Sequence, residues 1–192
     1  MATFQILPGL PSSGPPAQPF PPDFGRLGRE GLVVEIIPPR APSWVGNFSR
    51  GLSSFSAVYQ HPDGERLFVV AGGHGYVVDS ATRSIVNEVG AAITGVWPLS
   101  SPPSLLLDHQ GIAFERIGPE GRLWHTRRLS WDGFKELNIT PDTISGLGWR
   151  APGDTWEPFT VDLRTGRTRG GAYTGPDVTD GEVLADCDGS AA

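Results

Sequence analysis

Several features that would assign a protein to a class are scarce or missing in this chain. It has one cysteine, Cys187, so no intrachain disulfide can form, which favours a reducing compartment. No apolar run approaches the ~20 residues needed to cross a bilayer. The first residues have neither the basic segment nor the long apolar segment of a signal peptide. These absences predict a cytoplasmic protein without a membrane span.

Positive charge is also in short supply. Fifteen lysines and arginines stand against 21 acidic residues, which gives a net charge of −6. Such a balance disfavours a general attraction to nucleic acid or to acidic membranes. Arginines at 122–128 have tryptophans beside them, as in nucleic-acid binding surfaces, but acidic residues lie nearby. We therefore expect neither nucleic acid nor a membrane as partner.

Motifs for catalysis and for cofactor binding are missing as well. The segment 72–75, Gly-Gly-His-Gly, lacks the Lys-Ser/Thr pair and the helix that a phosphate loop requires. No ligand residues lie at a spacing diagnostic of a metal, so we expect no cofactor and no metal. Carboxylates for hydrolysis need only lie close in space, which leaves open a hydrolase, for example a carbohydrate-active one, beside a tryptophan-lined face. The acidic residues available for it are Glu115, Asp132, Asp154 and Glu157.

What the chain does have in quantity is glycine (26) and proline (19), largely placed between short apolar runs. This arrangement favours an all-β fold with many turns. The best-formed stretch is Leu67–Val86, which reads as three short strands separated by turns at 71–75 and 79–82. With the strand Phe55–Tyr59 before it, the stretch predicts a four-stranded antiparallel meander.

The meander recurs twice downstream. Its last turn, 79–82, aligns with 117–120 and then with 162–165, at offsets of 38 and 45 residues. Four-stranded repeats of about 40–45 residues are typical of propeller blades. Because a propeller usually has four or more blades, three rounds leave open an incomplete propeller, a small barrel or a sandwich.

Composition divides the chain into three parts. Residues 1–31 are rich in proline and glycine and predict an irregular arm, or a strap that covers an exposed sheet edge. Residues 32–173 form the predicted single β-meander domain, in which Trp44–Phe48 is interpreted as part of a connection. Residues 174–192 are acidic and predict a flexible tail. The side chains expected to hold the strap are Phe4, Ile6, Leu7, Phe20 and Phe24.

Six segments of the chain are distinctive as a set: FQILPGLP, GREGLVVE, WVGNF, HPDGERLFVVAGGHGYVVD, TRRLSWDGF and GRTRGGAY. Together they resemble an uncharacterised family of small bacterial proteins with β-propeller-like (WD40-like) blade repeats. The resemblance covers roughly residues 4–173. It implies the repeat fold and no activity.

The candidate binding residues lie in turns and loops. His74 and His109 occupy equivalent turns of the first two meanders. If those turns lie on one edge, the two histidines could converge on a metal or an acidic ligand; otherwise each simply serves its turn. Six tryptophans is a high number, and most of them are expected to anchor the core of a thin β fold. An exposed pair, Trp131 with Trp149 or Trp156, would suit a partner or carbohydrate surface. The predicted binding residues are His74, His109, Trp131, Asp132 and Trp156.

The favoured role is a non-catalytic protein-interaction or scaffold module, acting as a monomer or weak oligomer. Turn and loop residues on one edge would form its contact face. Two observations separate it from the hydrolase. Carboxylates scattered over separate faces would contradict the enzyme, and burial of every tryptophan would contradict the contact surface.

Overall fold

The architecture is all-β, as the sequence predicts. A computed structural model describes residues 1–175, without the side chains of residues 25–27. Within that part, 16 strands form four four-stranded sheets, and the single helix is a 3₁₀ turn at Pro22–Leu27. No helix in the same part is long and apolar enough to cross a membrane. Cys187 and nearly all of the predicted tail, 174–192, lie outside the described residues.

The first sheet contains strands that the sequence did not predict. Its strands are β1 (Thr3–Leu7), β2 (Gln18–Phe20), β3 (Leu32–Ile37) and β4 (Trp44–Phe48). Their order across the sheet is β1-β3-β4-β2, with β1 antiparallel to β3 and β2 parallel to β4. The interpretation of Trp44–Phe48 as part of a connection is wrong, because this segment is a strand that pairs antiparallel with β3. The proline-rich segment 1–31 contributes two short strands, whose backbone partners come from later in the chain. The boundaries 1–31, 32–173 and 174–192 stay a prediction.

The other three sheets are successive meanders of four strands in chain order, which is the layout of propeller blades. The second sheet has β5 (Ala57–Gln60), β6 (Leu67–Ala71), β7 (His74–Asp79) and β8 (Ser84–Val89). The third has β9 (Ile93–Ser100), β10 (Pro103–His109), β11 (Ala113–Gly118) and β12 (Gly121–His125). The fourth has β13 (Phe134–Ile139), β14 (Thr143–Arg150), β15 (Thr155–Asp162) and β16 (Thr168–Gly170).

The turns that were aligned in the sequence do close equivalent hairpins. Asp79 Oδ1 accepts hydrogen bonds from the backbone N–H groups of Ala81 and Thr82 after β7. Asp162 Oδ1 accepts them from the backbone N–H and the hydroxyl of Thr165 after β15. Hydrogen bonds from Thr82 and from Thr165 lower the pKa of their respective aspartates. The repeated Asp-x-x-Thr pattern is therefore explained by hydrogen bonds that the aspartate accepts within each turn.

Contacts group the chain into two compact units. The first is Met1–Leu105 with Gly118–Glu120, and the second is Leu106–Ile117 with the described residues that follow Glu120. The first unit has a core of aliphatic and aromatic side chains from its two sheets, among them Ile36, Phe48 and Tyr76. In the second unit, Phe134 stacks on Phe114 at 4.6 Å between ring centroids and contacts Phe159 at 5.0 Å.

Candidate functional site

The fourth sheet has a buried face and an open face, and the register of its central hairpin decides which residues lie on each. Trp149 pairs with Trp156, and two residues further along Leu147 pairs with Pro158. Directly paired residues point to the same side of a sheet, and successive residues alternate. Since the alternate residues Ile144, Phe159 and Val161 are buried, the two tryptophans lie on the outer face.

Trp156 is the most exposed tryptophan of this face, with 36% of its surface accessible. The ammonium of Lys135, on the neighbouring strand β13, lies 4.2 Å from the centroid of its ring, which is a cation–π contact. The indole N–H of Trp149 donates to Asp154 Oδ1 at 2.8 Å, which fixes that ring against the hairpin turn. We call this surface, formed by Lys135, Leu147, Trp149, Trp156 and Pro158, the aromatic face.

A connector loop, residues 130–133, runs beside the aromatic face. The N–H of Trp131 donates to the Trp149 carbonyl at 2.9 Å, and the N–H of Trp149 donates to the Gly133 carbonyl at 3.2 Å. On its other side, the N–H of Gly133 donates to the carbonyl of Gly111, in the turn after His109. The turn at 109–112, the connector and the hairpin end at 149–156 thus form one edge of the second unit.

Close backbone approach at this edge requires glycine at position 111. Gly111 has φ +68°, and a Cβ there would lie 2.8 Å from the Cα of Gly133. A larger residue would push the connector away from the turn. The Asp108 carboxylate also accepts a hydrogen bond from the Gly111 N–H at 2.9 Å, which fixes the turn from within.

Trp131 belongs to a separate aromatic contact. Its ring meets Tyr173 edge-on, with 5.2 Å between centroids, and the guanidinium of Arg128 lies 4.4 Å from the Tyr173 ring and 5.7 Å from the Trp131 ring. Trp131 is half-buried and the neighbouring Asp132 is exposed. The side-chain pair of this edge is therefore Trp149 with Trp156. The sequence named both residues, but their direct pairing follows only from the register across the turn at 151–154.

His109 is held within its own sheet. Its Nε2 lies 3.0 Å from Oε2 of Glu115, an ion-pair distance without hydrogen-bond alignment, and Glu115 is only 7% exposed. Arg122 lies 3.8 Å from the other oxygen of that carboxylate. The His125 ring lies 5.7 Å from the His109 ring; burial lowers the pKa of His125, and the neighbouring His109 lowers it further. No three acidic, histidine or cysteine side chains in residues 1–175 are placed to hold a metal ion.

His74 occupies the corresponding turn of the second sheet, in the first unit. Its Nε2 lies 2.8 Å from Oε2 of Glu88, and its ring stacks on Tyr76 with 4.3 Å between centroids. Burial raises the pKa of Tyr76 to about 12, and its hydroxyl donates to the Ser49 carbonyl. Each histidine thus has a glutamate of its own sheet as partner, and a binding role for either stays a prediction.

The carboxylates considered for hydrolysis have different partners. Glu115 contacts His109 and Arg122, Asp154 accepts the Trp149 N–H, and Glu157 lies 3.8 Å from Arg150. Asp132 is exposed on the connector. None of these contacts joins two of the four acids, and they give the hydrolase interpretation no support.

Comparison with known proteins gives little beyond this geometry. No protein-family model matches the chain, and no curated protein matches it. Among solved structures, the chain is similar to the β-propeller domain of Cps50 (Swd1) from Myceliophteria thermophila, with a TM-score of 0.40 and 12% identity. The match covers 76% of this chain and 64% of that one, so the chain spans less than two thirds of its length. The all-β architecture is established by the sheets themselves.

Proposed function

We propose that the protein is a non-catalytic binding module that contacts another protein through the aromatic face and the connector loop beside it. The observation that carries this proposal is the exposed Trp156, directly paired with Trp149 on the open side of the fourth sheet. Tryptophan is enriched among the residues that dominate binding energy, since it buries a large apolar area on contact. Trp156 is the exposed member of the pair, and the half-buried Trp149 supports it from the neighbouring strand.

The residues around Trp149 and Trp156 are arranged as in a typical protein interface. Leu147 and Pro158 extend the apolar centre along the sheet, while Lys135, Asp154 and Asp132 supply charge around it. An apolar centre with a charged rim is typical of protein interfaces. We assign Trp156 to the centre of the interface, and Trp131, Asp132 and His109 to its rim.

The rigidity of the edge supports recognition as well. Backbone hydrogen bonds join the connector to the hairpin and to the turn at 109–112, and Asp154 fixes the Trp149 ring. A surface that is already ordered loses less entropy when a partner binds. The proposal further includes a cytoplasmic location without nucleic-acid or membrane partners, which composition supports, and a place in the bacterial repeat family that the sequence resembles.

Site-specific photo-crosslinking tests the proposal. A photoreactive phenylalanine analogue placed at Trp156 in cells of the source organism is expected to trap one predominant protein. The matched control carries the same analogue at Leu123, which is 52% exposed in the same unit but outside the aromatic face. Trapping at both positions alike, or at neither, would contradict the proposal, as would a trapped protein that Trp156→Ala still binds with unchanged affinity.

A further inference from the structure

The four sheets have eight edge strands, and most of them are protected against pairing with other chains. β8 and β13 are irregular where they pair with β7 and β14, and β13 also carries Lys135 and Glu136. β2 and β16 have three residues each, β12 carries Arg122, and β9 contains Pro98. Bulges, charges, proline and shortness are the usual means by which proteins block sheet edges. The four-residue β5 is half-buried or buried throughout.

β1 has none of these protections. Its five residues, Thr-Phe-Gln-Ile-Leu, carry no charge and no proline, and they pair with β3 in unbroken register. Four of the five are exposed, among them Phe4 at 36% and Ile6 at 45%. An open, regular, apolar edge of this kind is a template for another strand.

The exposed side chains of β1 continue the core face of the first sheet. Phe4 is paired with Ile36 and Ile6 with Val34, and both partners are fully buried. Paired residues share a face, so the apolar surface runs from the core out to the edge and stops there uncovered. A strand added beside β1 would cover it.

We propose that β1 pairs with β1 of a second copy of this chain, antiparallel and with Gln5 on the two-fold axis. This register uses all five residues of both edges. It sets Phe4 of one copy opposite Ile6 of the other, and Thr3 opposite Leu7. An aromatic side chain opposite a β-branched one is a favourable cross-strand pair, and here it forms twice.

Charge favours a second copy as the occupant. Neither edge brings a charge into the contact, so nothing charged is desolvated. The charged residue on the neighbouring strand is Glu35, which is directly paired with Gln5 on β3 of each copy. Across the joined sheet the two Glu35 residues are three strand spacings apart, about 14 Å. That distance exceeds the screening length of about 8 Å at physiological salt, so they repel each other little.

The area of contact sets the strength of the dimer. Five residues a side are far fewer than the roughly 20–30 residues a side of a standard stable interface. The dimer is therefore weak and forms in a concentration-dependent way. This self-association is independent of the aromatic face.

Sedimentation equilibrium over a range of protein concentrations tests the pairing with the full chain. Wild type is expected to show a reversible monomer–dimer equilibrium. Gln5→Lys places two ammonium groups opposite each other on the axis and weakens the dimer several-fold, while its own Glu35 stabilises the variant monomer. Gln5→Glu weakens it as well, and an equal mixture of the two variants restores association as a heterodimer.

The matched control is Asn87→Lys, an exposed amide changed to lysine on edge strand β8 of the same unit. It leaves the dimer unchanged if β1 is the contact. A wild type that stays monomeric at every concentration would overturn the proposal. So would a dimer that Gln5→Lys leaves intact, or a mixture of Gln5→Lys and Gln5→Glu that associates no better than either alone.

Discussion

The hairpins β6–β7 and β14–β15 are the two central strands of their sheets, but they differ in burial. All five residues of β6 are buried, and so are the four inner residues of β7. In β14–β15 only one face is buried, and the other presents Trp156 and Pro158 to solvent. The same meander is therefore core in the first unit and surface in the second.

The turns of the two hairpins also differ in how closely other residues pack against them. Gly72 and Gly73 close β6–β7 with φ of +53° and +88°, and a Cβ on Gly73 would lie 2.6 Å from Ser53 Oγ. The turn at 151–154 is longer, and a Cβ on Gly153 would meet only Thr155 at 4.0 Å. One turn is packed by the rest of its unit, whereas the other is free to be contacted.

The largest effect is expected from the buried hairpin. Phe68→Ala removes a fully buried ring from β6 and leaves a cavity in a close-packed core. We expect the free energy of unfolding to fall by about 3–5 kcal/mol, measured by urea denaturation. If the free energy of unfolding fell by less than about 1 kcal/mol, β6 would not be a core strand. The difference in burial between the two hairpins would then have no effect on stability.

The two turns are compared by the same substitution. Gly73→Ala adds backbone strain at positive φ and a steric clash, and is expected to cost about 2–4 kcal/mol of unfolding free energy. Gly153→Ala adds the strain alone, since its φ is +91° but the space around it is open, and is expected to cost about 1–2 kcal/mol. Equal losses in chemical denaturation would mean that packing at Gly73 contributes nothing.

Acid is expected to weaken both units through buried histidines. Burial lowers the pKa of His61 in the first unit and of His125 in the second from 6.5. Because the unfolded chain binds these protons first, stability is complete above about pH 6.5 and falls as the pH drops below it. In each of the variants His125→Gln and His61→Gln, the melting temperature should decrease less between pH 7 and pH 5 than it does in the wild type. An unchanged slope in both variants would contradict the assignment.

The smallest effect on stability is expected on the aromatic face. Trp156→Ala removes a ring at the surface, which contacts Lys135 and lies on the outer face beside Trp149. The free energy of unfolding should change by about 1 kcal/mol or less, while affinity for the crosslinked partner falls by about 2 kcal/mol or more. A large stability loss would mean that the ring is a structural part of the sheet.

Local patterns predicted most of the meanders. The continuous apolar run at Leu67–Val70 became β6, and the turns at 79–82 and 162–165 close hairpins through their aspartates. The strand β4 was missed although it pairs with the nearby β3, because Gly46 and Asn47 interrupt its apolar pattern. The strands β1 and β2 were missed because proline and glycine surround them and their backbone partners come from much later in the chain. Periodicity in one segment carries no information about such a partner.

The candidate site was predicted in part for the same reason. Residue type singled out Trp131, Trp149 and Trp156, because tryptophan in a turn-rich region suggests a contact surface. Their relative placement depends on register: Trp149 pairs with Trp156 across the hairpin, while Trp131 turns to Tyr173. The glutamate partners of His74 and His109 were likewise invisible, since each comes from a neighbouring strand.

Lys135 has a practical consequence, because it is the only lysine in the chain. Apart from the α-amino group, a reagent that couples to amines has one side chain to attach to, over the Trp156 ring. Molecules immobilised on a sensor through this side-chain amine would all be held by their aromatic face, with that face turned to the support. A dye coupled to Lys135 would report on the surroundings of Trp156, and no cysteine would have to be introduced for labelling.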